Sequence, residues 1–326
     1  MRSLALFLIG LLGFLAAGTF ADCAVAQAVA QAEAPAPAAA PQDPAHGHDA
    51  KTMEMDNGAF FKKQYSHNVP YVLFTPEVTG DPETDKFFSF YNVNKFQWIA
   101  LAICLLIFLP IKASFRKQGE VSFFTRVFRG WCRWIRDEMV YPVLGEEEGK
   151  QFAPYFIFLF FFVAVMNVIG MIPSGGPIST YTATGTPYVT GALALITLLT
   201  MLFFGMKKNG VIGFFKGLLP HGLPTALLPL MAVVELVGLL VKPFALTIRL
   251  FANMLAGHLV IASLIGLIFL FAKMQGGAAT SYLTAVPAAG MAVFIFIIES
   301  FVTLLQAYIF TYLSIIFLQQ AMHPEH

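Results

Sequence analysis

Arg249 is a charged residue in the middle of a long apolar segment, with Lys242 and Lys273 as its nearest charged neighbours. A guanidinium stays protonated at any biological pH, so it cannot escape an apolar environment by losing its proton. Placing arginine at the centre of a membrane helix costs roughly 2.5–3.5 kcal/mol on the insertion scale. We therefore expect the charge of Arg249 to serve a function.

The spacing of the neighbouring polar residues predicts two polar faces on one helix. Glu235 and Arg249 are fourteen residues apart, which places them only about 40° apart around a helix. Asn253 follows Arg249 at i+4 and shares its face. His258 falls on roughly the opposite side. This separation favours two polar routes divided by a fixed charge over one enclosed binding pocket.

A second apolar segment contributes Glu299 and Gln306, which are seven residues apart and therefore share one helical face. Imidazole and carboxyl groups both exchange protons readily, so His258 and Glu299 are the titratable candidates for a relay. The sequence shows no set of nucleophile, base and orienting residue. A proton or cation pathway therefore fits these residues better than covalent catalysis.

Structural roles for the same residues remain open from the sequence alone. Arg249 is also compatible with a structural ion pair to Glu235 or Glu299, since charges within membranes often pair with one another. Asn253 and Gln306 suit interhelical hydrogen bonds equally well.

The composition indicates a membrane protein that spans the bilayer several times. The chain has 326 residues, of which 57% are hydrophobic and 12% charged, whereas a soluble domain carries about 25% charged residues. No basic tract, glycine-rich phosphate loop or CxxC pair is present, so we predict no nucleic acid, metal or cofactor. The three cysteines are scattered and do not suggest a disulfide framework.

The N-terminal quarter differs from the rest of the chain. Residues 1–26 form a candidate signal peptide with a cleavage site after Ala26, and an uncleaved first membrane helix is the alternative. Residues 27–90 are predicted to be an external Ala/Pro-rich tail followed by a short interfacial segment, with a strand-like piece at residues 71–74. We expect the membrane domain to cover residues 91–320 and a cytoplasmic tail to cover residues 321–326.

The distribution of arginine and lysine predicts the orientation. A first span from Phe96 to about Leu109, closed by Pro110, precedes a region rich in arginine. By the positive-inside rule this region is cytoplasmic, which puts the N-terminus outside and the C-terminus in the cytoplasm. Trp131 and Trp134 lie among these arginines and predict an interfacial amphipathic helix on the inner leaflet.

The segment from Gly222 to Ala272 is too long for one perpendicular span. About fifty apolar residues would extend some 75 Å as a helix, more than twice the hydrocarbon thickness of a bilayer. From the residues alone we expect either two spans or a strongly tilted helix with a break, with Pro243 as one candidate bend.

The order of these residues resembles subunit a of the rotary (F-type) proton-translocating ATP synthases. The resemblance extends from about residue 96 to residue 318. The matching residues are Met166-Asn167, Gly170-Met171-Ile172-Pro173, Phe215-Lys216-Gly217, Pro220, Pro224, Glu235, Lys242-Pro243 and Leu246-Thr247-Ile248-Arg249-Leu250-Phe251-Ala252-Asn253-Met254.

The resemblance implies an all-α integral membrane protein of about five to six helices, the last two forming a long tilted hairpin. It implies a multi-pass stator subunit of the bacterial inner membrane, non-catalytic by itself, with two half-channels beside a ring of c subunits and with b-type peripheral stalk subunits as further partners. Arg249 would match the essential arginine between the half-channels. The other matching polar positions are Glu235, Asn253, His258, Glu299 and Gln306.

Two other functional interpretations stay open at this point. A secondary transporter or channel would use Arg249 as the counter-charge of an anion, although the internal repeat that such proteins often have is not visible. A purely structural scaffold would leave the titratable residues without a purpose. The sequence does not decide between protons and sodium ions, because the coupling site would lie on the ring.

Overall fold

The computed structural model describes residues 72–74, 90–116, 122–172, 183–217, 228–274 and 278–324. The predicted signal peptide, residues 1–26, and most of the predicted tail lie outside these residues. Strand β1 (Val72–Phe74) pairs antiparallel with β2 (Phe90–Tyr91). The strand-like piece predicted at residues 71–74 is therefore present as β1, and β2 leads directly into the first helix.

Helix α1 (Asn92–Arg116) is longer than the sequence predicted, because it continues through Pro110. The prediction that Pro110 closes the first span is wrong. A proline removes one backbone donor and disturbs the preceding turn, but membrane helices tolerate this where local adjustments satisfy the freed carbonyl.

Helix α2 (Phe123–Trp134) is followed by a π-helical turn (Ile135–Val140) and by α3 (Tyr141–Met171). Gly145 interrupts the start of α3 with a φ of 76°. This left-handed conformation favours glycine. The interruption lies between an uncharged first turn and a charged stretch, Glu146 to Lys150, and the apolar remainder of α3 that follows is mostly buried.

Helix α4 (Pro187–Asn209) begins with proline at its first position, where the missing N–H has no cost. Gly210, with a φ of 73°, ends it and leads into the short α5 (Val211–Gly217). The Asn209 side chain donates from Nδ2 to the carbonyl oxygens of Ala321 and Met322, at 3.1 and 3.2 Å. These bonds connect the end of α4 to the C-terminal end of the last helix.

The last two helices are α6 (Leu228–Met274) and α7 (Ala278–Met322), of 47 and 45 residues, and they pack against each other as a hairpin. At 1.5 Å per residue each is about 70 Å long, so neither fits a bilayer core of about 30 Å without a strong tilt. The expected break in the long apolar segment is absent, because α6 continues through Pro243. The Thr247 hydroxyl donates to the Pro243 carbonyl at 2.9 Å.

The core lies where α3 packs against α1 and α7 and where α7 packs against α4. Helix α6 contributes three buried side chains that are spaced four residues apart along one face, Leu246, Leu250 and Met254. Asn167, fully buried on α3, donates from Nδ2 to the Thr303 carbonyl of α7 at 3.3 Å. The largest side chains of the core that are almost completely buried include Phe156, Leu159, Met166, Leu246, Leu250, Phe310 and Ile315.

Five of the described helical segments are long and apolar enough to cross a membrane. This confirms the predicted fold class, an all-α integral membrane protein whose last two helices form a long hairpin. The two-stranded ladder is the only β-structure among the described residues.

Candidate ion-translocation site

Arg249 lies on the exposed side of α6, while Leu246, Leu250 and Met254 on the same helix face the bundle. Asn253, one turn later, is exposed on the same side as Arg249. As on a helix of a soluble protein, the charged side points away from the chain's own core, but here the exposed side chains around the charge are apolar. The neighbouring side chains of Phe244 and Ile248 are also exposed.

The guanidinium of Arg249 forms no ion pair with any residue that the structure describes. Glu299 pairs instead with His258, and Glu235 lies elsewhere along α6. The backbone at Arg249 is held by Gln306, whose Nε2 donates to the Arg249 carbonyl oxygen at 3.4 Å. Gln306 therefore fixes the position of the helix that carries the charge and leaves the charge itself available.

His258 and Glu299 meet between α6 and α7. The His258 Nδ1 atom lies 3.5 Å from the Glu299 Oε1 atom, within ion-pair distance but outside hydrogen-bond geometry. Glu299 is 7% exposed, and no described donor hydrogen-bonds to either of its carboxyl oxygens. A buried carboxyl without donors is costly, so the site favours a group that takes up and releases a proton or binds water.

Gly257 makes this pairing possible, because it lets the Glu299 side chain approach the backbone of α6. A Cβ atom at position 257 would lie 2.2 Å from the Glu299 Oε1 atom and 2.5 Å from its carboxyl carbon. Atoms cannot approach this closely, so the carboxyl occupies space that only glycine leaves open.

We expect Gly257→Ala to displace the Glu299 carboxyl and to slow proton transfer at this pair by up to about a hundredfold, the cost that misplacing a reacting group by 1 Å can reach. The matched control is Gly238→Ala on the same helix, where nothing lies within 4 Å of the added methyl group. Proton flux into vesicles, measured with a pH-sensitive dye, checks the prediction. Equal flux in both variants would contradict it.

Glu235 lines a cavity of about 180 Å³ near the start of α6, together with Lys242 and Gln320. The Lys242 ammonium donates to the Gln320 side-chain oxygen at 2.9 Å and lies 5.6 Å from the centre of the Phe317 ring. This polar space lies about six helical turns from His258 along α6. The structure therefore separates two polar regions, one at Glu235 and one at His258 and Glu299, with Arg249 between them along the helix.

Sequence reasoning missed three residues of this arrangement: Gly257, Thr303 and Gln320. The Thr303 hydroxyl contacts the Met254 sulfur at 3.9 Å, and its carbonyl accepts the bond from Asn167. A glycine adjacent to a candidate relay histidine was the one available signal, since glycine often marks a close approach. Nothing in the sequence distinguished Gln320 from other polar residues near the C-terminus.

A comparison with known families decides the identity of the chain. A family described as "ATP synthase A chain" matches residues 95–319 of the 326 residues. The chain belongs to this family. Membership in the ATP synthase A chain family confirms the resemblance inferred from the sequence and supports a multi-pass membrane protein. It does not favour a secondary transporter.

Bacterial relatives named "ATP synthase subunit a" agree with the match. The chain is 42% identical to one from Myxococcus xanthus over 193 residues, which cover 59% of each protein. It is 37% identical to one from Chloroherpeton thalassium over 233 residues, covering 70% of this chain and 66% of the relative. It is 38% identical to one from Maricaulis maris over 191 residues, covering 58% of this chain and 72% of the relative. The chain thus spans less than two thirds of the first two relatives.

Proposed function

We propose that this chain is the stator subunit that delivers protons to a rotating ring of c subunits and removes them again. In this proposal the chain is not catalytic by itself, and ion flow through it drives ATP synthesis elsewhere in the complex. The observation that carries the proposal is the exposed, unpaired guanidinium of Arg249 in an apolar surface of the described chain. Charges within membranes usually pair with one another, so an acidic group on a neighbouring protein fits this guanidinium, which no described residue of the chain pairs.

The two half-channels are assigned to the two polar regions. One contains His258 and Glu299, and the other contains the cavity beside Glu235. Asn253 and Gln306 complete the proposed set near the arginine, the first on its exposed face and the second as its backbone anchor. A fixed positive charge between the two regions repels any proton that moves directly from one region to the other along hydrogen-bonded groups. Protons would therefore cross only on the ring's carboxyl groups.

The exposed apolar surface of the hairpin supports the ring as the partner. The exposed side chains near Arg249 on α6 and α7 are large and apolar, and include Val241, Phe244, Ile248, Ile297 and Phe301. A ring of apolar helices that presents one carboxyl group per subunit matches both the apolar surface and the isolated charge. The b-type peripheral stalk subunits remain proposed partners without an assigned surface.

The remaining assignments complete the proposal. Residues 91–320 form the membrane domain, residues 1–26 and 27–90 the signal peptide and external tail, and residues 321–326 the cytoplasmic end. The arginine-rich α2 supports the orientation with the C-terminus in the cytoplasm of a bacterium. The proton is the proposed ion, and the meeting of two proton-exchanging groups, His258 and Glu299, supports it, while the coupling site itself would lie on the ring.

Cysteine cross-linking along α6 tests the partner. Ala245 and Ala252 are exposed and lie within about 60° of Arg249 around the helix. In a background without the native cysteines, Ala245→Cys and Ala252→Cys are expected to form disulfides with cysteines placed beside the ring carboxyl. Ala102→Cys, exposed on α1, is the matched control and is expected to form none. Equal cross-linking from all three positions would contradict the proposed docking surface.

A further inference from the structure

Helix α2 has three distinct faces, which differ in burial and in the side chains that they carry. Thr125, Phe128 and Cys132 are buried or half-buried and fall within about 60° of one another around the helix. The second, which we call the aromatic face, is exposed and consists of Phe123, Phe124, Val127, Trp131 and Trp134. The third, the arginine face, consists of Arg126, Arg129 and Arg133.

The aromatic face is too exposed to belong to the core. Phe123 and Phe124 are 72% and 73% exposed. At the other end of the helix, the Trp131 ring lies 6.2 Å from the Phe160 ring of α3, and the Trp134 ring lies 6.0 Å from the Tyr308 ring of α7. These contacts fix the helix against the apolar part of the bundle, while Phe123 and Phe124 in its first turn stay largely exposed.

The arginine face carries three positive charges, and Asp137 lies within electrostatic range of one of them, Arg133. Arg126, Arg129 and Arg133 form no ion pair with any residue that the structure describes. Arg136, just after the helix, differs from them, because its guanidinium binds Asp137 at 2.7 Å and lies over the Tyr141 ring. Guanidinium groups bind phosphate oxygens in a bidentate manner, so the face is suited to phosphate groups.

We propose that α2 is a docking surface for anionic phospholipids of the leaflet that it faces. The aromatic face would lie among the acyl chains, and the arginine face would hold the headgroup phosphates. Position along the chain supports lipid as the occupant. Six residues separate the end of the membrane helix α1 from the start of α2, and α2 leads into the apolar helix α3, so α2 lies at the membrane boundary. An exposed face rich in tryptophan and phenylalanine beside a cationic face is typical of an interfacial helix.

Lipid binding at this surface would also support the translocation site. Trp134 contacts Tyr308 on α7, the helix that carries Glu299 and Gln306. An α2 held in the headgroup region therefore fixes one side of α7 with respect to the membrane. The proposal concerns a lipid interaction and stands independently of the partner proposed for Arg249.

Tryptophan quenching by brominated lipids tests the proposal on the full-length chain. The chain has three tryptophans, so Trp98→Phe leaves Trp131 and Trp134 as the reporters. In mixed vesicles, bromine is placed either on the acyl chains of phosphatidylglycerol or on those of phosphatidylcholine, at equal mole fractions. We expect stronger quenching by the brominated phosphatidylglycerol, and we expect 1 M salt to abolish the difference because it screens the headgroup charge.

Substitutions of the arginines on α2 distinguish an effect of their charge on lipid preference from a change in the helix itself. Arg126→Gln, Arg129→Gln and Arg133→Gln together are expected to equalise the quenching, and each alone to lower the preference for the anionic lipid by up to roughly fivefold. The corresponding lysine variants and Arg136→Gln, whose charge is already paired, are expected to keep the preference. Equal quenching by both lipids in the parent protein, as expected if another protein covers α2, would overturn the proposal. So would a preference that survives the triple glutamine variant or 1 M salt.

Discussion

Arg249→Ala is expected to abolish ATP synthesis in the assembled complex and to let protons leak through its membrane sector. Without the guanidinium, no positive charge remains on α6 between Lys242, beside Glu235, and the region at His258 and Glu299. The ring carboxyl would also lose its charge-assisted partner, an interaction worth about 1.5–3 kcal/mol. Synthesis and proton leak are measured in the same inverted vesicles.

Arg249→Lys is the matched control for this prediction. Lysine keeps the positive charge but lacks the planar fork and is more strongly hydrated. It is therefore expected to suppress the leak while still lowering synthesis severely. If Arg249→Ala makes ATP at the normal rate, the assignment of Arg249 is wrong. If both variants leak equally, the charge is not the barrier.

The second large effect is expected at the pair His258 and Glu299. A neutral substitution of either residue, His258→Ala or Glu299→Gln, removes one titratable member of the pair and leaves the other without its partner at 3.5 Å. Loss of a positioned acid or base typically slows proton transfer by about 10²–10⁴-fold. We expect proton flux through the complex to fall into this range for both single variants.

The double exchange His258→Glu with Glu299→His distinguishes a relay from two independent residues. It restores one imidazole and one carboxyl across the same contact between α6 and α7. We expect it to recover part of the flux that His258→Glu or Glu299→His loses alone. Recovery is expected to be incomplete, because the space beside Gly257 fits a carboxyl group from α7 and not the larger imidazole ring. A double exchange no better than the singles would exclude the paired relay.

Much of the site was predictable from the sequence because the background is so apolar. In such segments each polar side chain is an exception, and helical periodicity alone placed Arg249 and Asn253 on one face and His258 on another. The structure has the same separation, with Arg249 exposed and His258 directed toward Glu299. The all-α fold with a long final hairpin followed from the resemblance.

The errors concern prolines and contacts between helices. Pro110 was predicted to close the first span, and Pro243 was one candidate bend in a broken helix, but both lie within continuous helices that the helix bonds on either side hold together. The approach of Glu299 to Gly257 depends on the register between α6 and α7, which periodicity within one helix does not contain. For the same reason the sequence did not predict the Lys242–Gln320 bond.

Proton conductance with the ring held still tests the central claim most directly. A cross-link between the ring and this chain stops rotation, and conductance is then measured in vesicles under an imposed potential. With Arg249 present, a stopped ring is expected to conduct no protons, because the guanidinium closes the path between the two regions. With Arg249→Ala, the stopped ring is expected to conduct. Conductance through the stopped ring in the presence of Arg249, or none in its absence, would contradict the account.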